Sequence, residues 1–328
     1  MRMKRVLSTA MILALTVSMI GCSKTSGDKN EKEESKAANY PKEINVTYVK
    51  SPLNVPSILQ KNDDLFGKEF SKEKIKVNFH ELTTGPEQTQ ALAAGEIDFV
   101  HALGGTSALI AASNGVDMKI LNTYSRSPKG FMILTNDDSI KSAKDLVGKK
   151  VAGPKGTILH QVLVAALNKE GKSIEDVEFL NLGIPESASA LADGSVDAAL
   201  LAGPVALKAT NSGSKVVATG EGLVDGIIVT AVSTQFAEKY PDVVERFVKV
   251  EKETLKYVDG NFDEAMEKVA KEVGITTEEA KEMYKWYDFS IDITDKDIKS
   301  LEETQDFLIK NKMQENKVDV KSLIYNQK

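Results

Sequence analysis

Cysteine is almost missing from this chain. One stands among 328 residues, Cys22, which excludes an internal disulfide and a multi-cysteine metal site. Histidine is nearly as scarce, with His80, His101 and His160 scattered singly. Without a second ligand at metal-binding spacing they give no zinc site, and neither metal nor cofactor is expected. Aromatic residues amount to 6%, so the core must come from Ala, Leu, Val and Ile. Beyond residue 20 no run is long and uncharged enough to span a membrane. An excess of positive charge is also lacking. The net charge is −6, and an acidic, evenly charged chain is a poor partner for nucleic acid. Enzyme signatures are absent too. There is no Gly-x-Ser-x-Gly elbow and no His-Glu-x-x-His pair. Gly153-Pro154-Lys155-Gly156-Thr157 lacks the spacing of a Walker phosphate loop. No catalytic residue is assigned, and the chain is read as a non-enzyme.

What the chain does contain is a motif written twice. Pro86-Glu87 leads into Ala91-Leu92-Ala93-Ala94-Gly95-Glu96-Ile97-Asp98, and Pro185-Glu186 into Ala190-Leu191-Ala192-Asp193-Gly194-Ser195-Val196-Asp197. The offset is the same at every matched position. Each copy sits between strand-like runs and reads as strand, helix, glycine stop, strand. Duplication of an α/β unit implies two similar lobes with a cleft between them.

The N-terminus has the order of a secretion signal. Arg2, Lys4 and Arg5 precede an uncharged, mostly apolar run from Val6 to Ile20, too short for a membrane span. It ends at Met19-Ile20-Gly21-Cys22, which resembles a bacterial lipobox. Residues 1–21 are therefore read as a lipoprotein signal peptide (charge about −9 for the remainder) and Cys22 as the lipidation site. Ser23 to Tyr40 is rich in Lys, Glu, Ser and Asn and lacks the apolar residues that would offset ordering entropy. Residues 22–40 are read as lipidated cysteine and tether, with a root-mean-square span on the order of 25 Å.

From residue 41 strands and helices alternate, which predicts an α/β fold with largely parallel sheets. Strands are expected at 44–49, 97–102, 118–124, 131–135, 150–152, 215–218 and 227–232, and a helix at 56–66. Thr84-Gly85-Pro86-Glu87 forms a capping box with proline in the first turn. Ligands in such sheets bind beyond the carboxyl ends of strands. Two glycine-rich loops, Gly104-Gly105-Thr106 and Gly153-Pro154-Lys155-Gly156-Thr157, occupy that position. Their free N–H groups and helix starts would suit an anion. Ordinary turns and caps account for them equally well.

The order Thr84-Gly85-Pro86, Ala91 to Phe99, Ser139-Ile140-Lys141-Ser142-Ala143-Lys144-Asp145-Leu146-Val147-Gly148-Lys149-Lys150-Val151-Ala152 and Leu191 to Ala198 resembles the nitrate/sulfonate/bicarbonate (aliphatic-sulfonate and taurine-type) substrate-binding lipoproteins of ABC importers. The likeness spans roughly residues 43–236. The resemblance implies a two-lobed type II periplasmic binding protein fold, α/β in class. Lobe 1 would be 41–128 plus 228–328, lobe 2 would be 129–227, and two crossovers near 125–130 and 227–232 would flank the ligand cleft. It further implies a small-molecule anionic ligand, sulfonate-like first, and ABC permease and ATPase subunits as partners of a monomer held at the outer face of the cell membrane by lipid. By position the ligand loops carry Ser51, Thr84, Gly85, Gly104, Gly105, Thr106, Lys155, Gly156, Thr157, Glu186, Ala202 and Gly203. Many sulfonate-type members have a Trp and an acidic residue where this chain reads Leu201-Ala202-Gly203-Pro204, which counts against taurine. A ligand-sensing lipoprotein and a binder of a heteroaromatic, pyrimidine-type metabolite are the alternatives.

Other residues have two readings each. Arg126 lies in the first crossover and could fork onto an anion or form a hinge salt bridge. Lys155 is a solvated loop charge or an anion contact. His160, in the first turn after the second loop, is a candidate contact. Glu87 reads as a helix-start carboxylate, and Tyr284 to Phe289 as an aromatic core cluster.

Overall fold

The structure is a computed structural model and describes residues 40–325. Residues 1–21, read as a signal peptide, Cys22 and nearly all of the expected tether lie outside the described residues. Ten strands follow in chain order: β1 (Glu43–Tyr48), β2 (Lys76–Glu81), β3 (Phe99–Gly104), β4 (Met118–Arg126), β5 (Phe131–Thr135), β6 (Lys150–Gly153), β7 (Glu178–Asn181), β8 (Ala198–Ala202), β9 (Lys215–Thr219) and β10 (Ile227–Ser233). They form two five-stranded sheets, ordered β2-β1-β3-β10-β4 and β7-β6-β8-β5-β9. The orders superimpose with β6 in the place of β1, β7 of β2 and β8 of β3. Each sheet and the helices on it make one half of the body.

The sheets are largely parallel, as expected, with one strand reversed in each. β1, β2 and β3 are parallel, as are β6, β7 and β8. β10 runs antiparallel to β3 and β4, and β5 runs antiparallel to β8 and β9. The chain enters β5 through a short turn after β4 and leaves β9 for β10 through another. In each case the first strand after the crossing enters the new sheet one place in from an edge, against the direction of its neighbours.

The repeated motif builds one device twice. Helix Gly85–Ala93 is followed by Gly95 at φ +73, and helix Ile184–Asp193 by Gly194 at φ +77. Such left-handed turns cost glycine nothing. The closing aspartates then bridge to the neighbouring strand. Asp98 Oδ2 accepts from Asn45 N at 2.8 Å, and Asp197 Oδ2 accepts from Lys150 N at 2.7 Å. The backbone N–H of each also donates to the same neighbour's carbonyl. The expected strand at 97–102 starts late because the N–H groups of Glu96 and Ile97 are held by Ala91 O at the helix end. The expected helix at 56–66 is two, Val55–Asn62 and Leu65–Glu69, divided where Asp64 takes φ +50.

The C-terminal helices complete the first half. Helix Pro241–Gly260 stacks Phe247 on Phe99 and Phe66. It also buries Glu251 against the sheet, where Thr230 and Asn122 donate to the carboxylate at 2.8 and 2.7 Å and His101 Nε2 lies 3.0 Å away. Three strands are thereby tied to one helix, and His101 is structural. The cluster Tyr284–Phe289 packs in the core, with Tyr287 and Phe289 stacked. Among the described residues no helix is long and apolar enough to cross a membrane.

Candidate functional site

Between the halves lies a cavity. Helix starts surround it. Helix Gly85–Ala93 contributes Thr84 and Gly85. Its capping box is present, with Glu87 N donating to Thr84 Oγ1 and the Glu87 carboxylate accepting from Thr84 N. Helix Gly105–Ser113 contributes Gly104 and Ser107, helix Ile158–Lys169 contributes Thr157, Ile158 and Leu159, and helix Ile184–Asp193 contributes Ile184. The first N–H groups of a helix have no intrahelical partner, and its N-terminal end carries about half a positive charge. Four such ends, two from each half, converge here. Val49, Pro52, Ala102, Phe131 and Ile228 supply much of the apolar wall. Ala102 sits in β3 at φ +66, and the β10 register breaks opposite it. Among the described residues no charged side chain lines the cavity.

The residues expected from sequence divide into two groups. Ser51, Thr84, Gly85, Gly104 and Thr157 line the cavity. Gly105 and Thr106 turn away from it, and Thr106 Oγ1 donates to Gln161 Oε1 at 2.5 Å across the halves. Gly156 offers its carbonyl to Ser107 Oγ at 2.9 Å, again across the halves. Lys155 is exposed, and its backbone N–H donates to Asn181. His160 is buried behind the loop, where its Nδ1 accepts from Gly156 N and its ring stacks on Phe179. Burial, then the Lys155 charge, pulls its pKa down to about 4, so the ring is neutral at pH 7. The Glu186 carboxylate lies back over Gly183. Ala202 is fully buried, and Gly203, at φ +51, packs against the backbone of Pro52 and Leu53.

Arg126, at the end of β4, is engaged wholly within the first half. Its Nε and NH2 clasp Asp297 at 2.6 and 2.7 Å. NH1 donates to Ser290 and Asp288, and NH2 also to Thr123 Oγ1 and Asp292 O. The guanidinium has no donor left for a ligand. Burial raises the Asp297 carboxyl, but hydrogen bonds from Arg126 and Thr294 outweigh it and bring the pKa to about 2.

Sequence reasoning missed Gln88, Ser107, Phe131, Ile158 and Ile184. Four of them fall in the first turn or so of helices whose starts were legible, so position alone could have found them. Phe131 opens the strand after the crossover, where no local signal marks it. Further bonds join the halves at the rim. Lys208 Nζ donates to Val273 O at 2.8 Å, Asn211 to Glu279 at 2.8 Å and Asn168 to Asn311 at 2.7 Å.

The family model described as NMT1/THI5 like matches residues 70–265, more than half of the chain. The chain belongs to that family. A Bacillus subtilis (strain 168) protein named as binding aliphatic sulfonates is 31% identical over 99% of this chain and 95% of its own length. The taurine-binding periplasmic protein of Escherichia coli (strain K12) is 29% identical over 63% of this chain and 64% of its own. Among solved structures, the alkanesulfonate-binding protein SsuA from Xanthomonas axonopodis pv. citri, bound to MOPS, aligns with a TM-score of 0.80 at 24% identity, covering 88% of this chain and 99% of that one. The SsuA of Escherichia coli aligns at 0.72 and 23%, covering 87% and 98%. These likenesses establish a periplasmic binding protein fold, as the resemblance implied.

Proposed function

We propose that this chain is the extracytoplasmic solute-binding lipoprotein of an ABC importer, that it captures a small organic anion, and that a sulfonate is the first choice. The convergence of four helix starts on a cavity without a charged side chain carries this reading. A sulfonate spreads one charge over three acceptor oxygens, which matches several N–H and hydroxyl donors better than one cation would. The apolar wall suits the carbon part. The names of the relatives point the same way. The lining holds no Cys, His, Lys or carboxylate, which favours binding over chemistry.

The two halves act as lobes 41–128 plus 228–328 and 129–227, closing on the anion and presenting the closed form to the permease of a transporter that also has ATPase subunits. The protein works as a monomer. Lipid on Cys22 holds it at the outer face of the cell membrane, and Cys22→Ser should move it to the soluble fraction. A variant that stays with membranes lacking the transporter would refute the anchor.

Thermal shift with straight-chain alkanesulfonates, matched carboxylates and sulfate tests the ligand class. A ligand at one hundred times its dissociation constant adds about 2.7 kcal/mol of stability. At least one sulfonate should raise the melting temperature, and a flat response to all of them would overturn the reading.

A further inference from the structure

Gln88 lines the cavity and is only 2% exposed. Its Nε2 donates to Leu82 O at 3.0 Å. A backbone carbonyl can only accept, so this bond fixes the amide orientation. The other end, Oε1, is buried and has no hydrogen-bond partner. Among the described residues it is the one orphaned buried side-chain atom that belongs to the cavity wall. A buried acceptor left unpaired is costly, and proteins pair such groups or reserve them for a ligand.

We infer that Gln88 selects the ligand, and that the anion carries a neutral hydrogen-bond donor, a hydroxyl, which it gives to Gln88 Oε1. The inference rests on the sulfonate reading and narrows it to hydroxyalkanesulfonates. A plain alkyl chain would leave Oε1 orphaned. An ammonium could donate too, but the cavity offers no carboxylate to pair with it and is ringed by four positive helix ends. A hydroxyl satisfies the acceptor without burying a second charge. Sites built around such a bond discriminate strongly against analogues that lack the donor.

The test is calorimetric titration of the full chain with three ligands of one length: ethanesulfonate, 2-hydroxyethanesulfonate and 2-aminoethanesulfonate. The hydroxy compound should bind about tenfold more tightly than the ethyl compound, and the amino compound should not exceed it. In Gln88→Met the hydroxyl preference should collapse to about one. Ethanesulfonate binding the native protein as tightly as its hydroxy analogue would overturn the inference, as would a hydroxyl preference that survives in Gln88→Met. Those results would leave the sulfonate reading standing. No binding by any of the three would overturn both.

Discussion

Replacing Arg126 with alanine should cost stability and leave ligand affinity unchanged. The guanidinium is 18% exposed, and its partner Asp297 is 3% exposed. Removing one member of a buried pair costs about 3–5 kcal/mol because the other charge stays desolvated, and the partial exposure here places the expectation near the lower end, at about 3 kcal/mol. The loss should depend on pH. Asp297 has a folded pKa of about 2, below its ordinary value of 3.8. A depressed carboxylate contributes stability that is present above the unfolded pKa and lost as pH falls through the folded one. That contribution is about 2 kcal/mol, and it disappears between about pH 5 and pH 2. Urea denaturation of both proteins at pH 7 and pH 3 is the assay. The gap should be full at pH 7 and visibly narrower at pH 3. A variant as stable as the native protein, or a gap that widens in acid, would refute the reasoning. Loss of sulfonate affinity with melting unchanged would return Arg126 to the ligand.

Asp98→Ala and Asp197→Ala should each cost about 1.5–3 kcal/mol, because each removes a charged acceptor from a strand N–H. The two lie in separate sheets, so the double variant should be additive within about 0.5 kcal/mol by chemical denaturation. Gly203→Ala should destabilise by about 1–3 kcal/mol, since φ is +51 and a Cβ would stand 2.8 Å from Leu53 N. A melting curve matching the native one would show that the contact with Pro52 and Leu53 relaxes freely.

Much of the architecture could be read from the chain because the signals were local. The Thr84 capping box, the stops at Gly95 and Gly194 and the repeat itself each depend on a few adjacent residues, and the structure places them as read. Strand direction was not local. Whether β5 or β10 is parallel to its neighbours depends on where the chain re-enters a sheet, and alternation of strand and helix carries no information on that. The site failed for a related reason. Arg126 looked available because Asp288 and Asp297 lie more than 160 residues away. Lys155 and His160 were right in sequence neighbourhood but wrong in side-chain direction. Gln88 carried no mark in sequence beyond its place four residues after a cap, and only the fixed Leu82 carbonyl reveals its vacant acceptor.

The bonds across the cleft have a consequence for how an importer would be triggered. Ser107 to Gly156, Thr106 to Gln161, Lys208 to Val273 and Asn211 to Glu279 all join protein to protein. Under the proposed clamp they would favour closure whether or not cargo is present, and so would set the false-alarm rate of the receptor. If each is worth about 1 kcal/mol net, losing one lowers the resting closed population about fivefold. Lys208 and Asn211 stand outside the cavity wall, so in such a carrier noise could be tuned there without altering the signal. In the importer proposed above, the cavity would decide which molecule is recognised, while side chains at the rim would decide how often the permease is approached by an empty carrier.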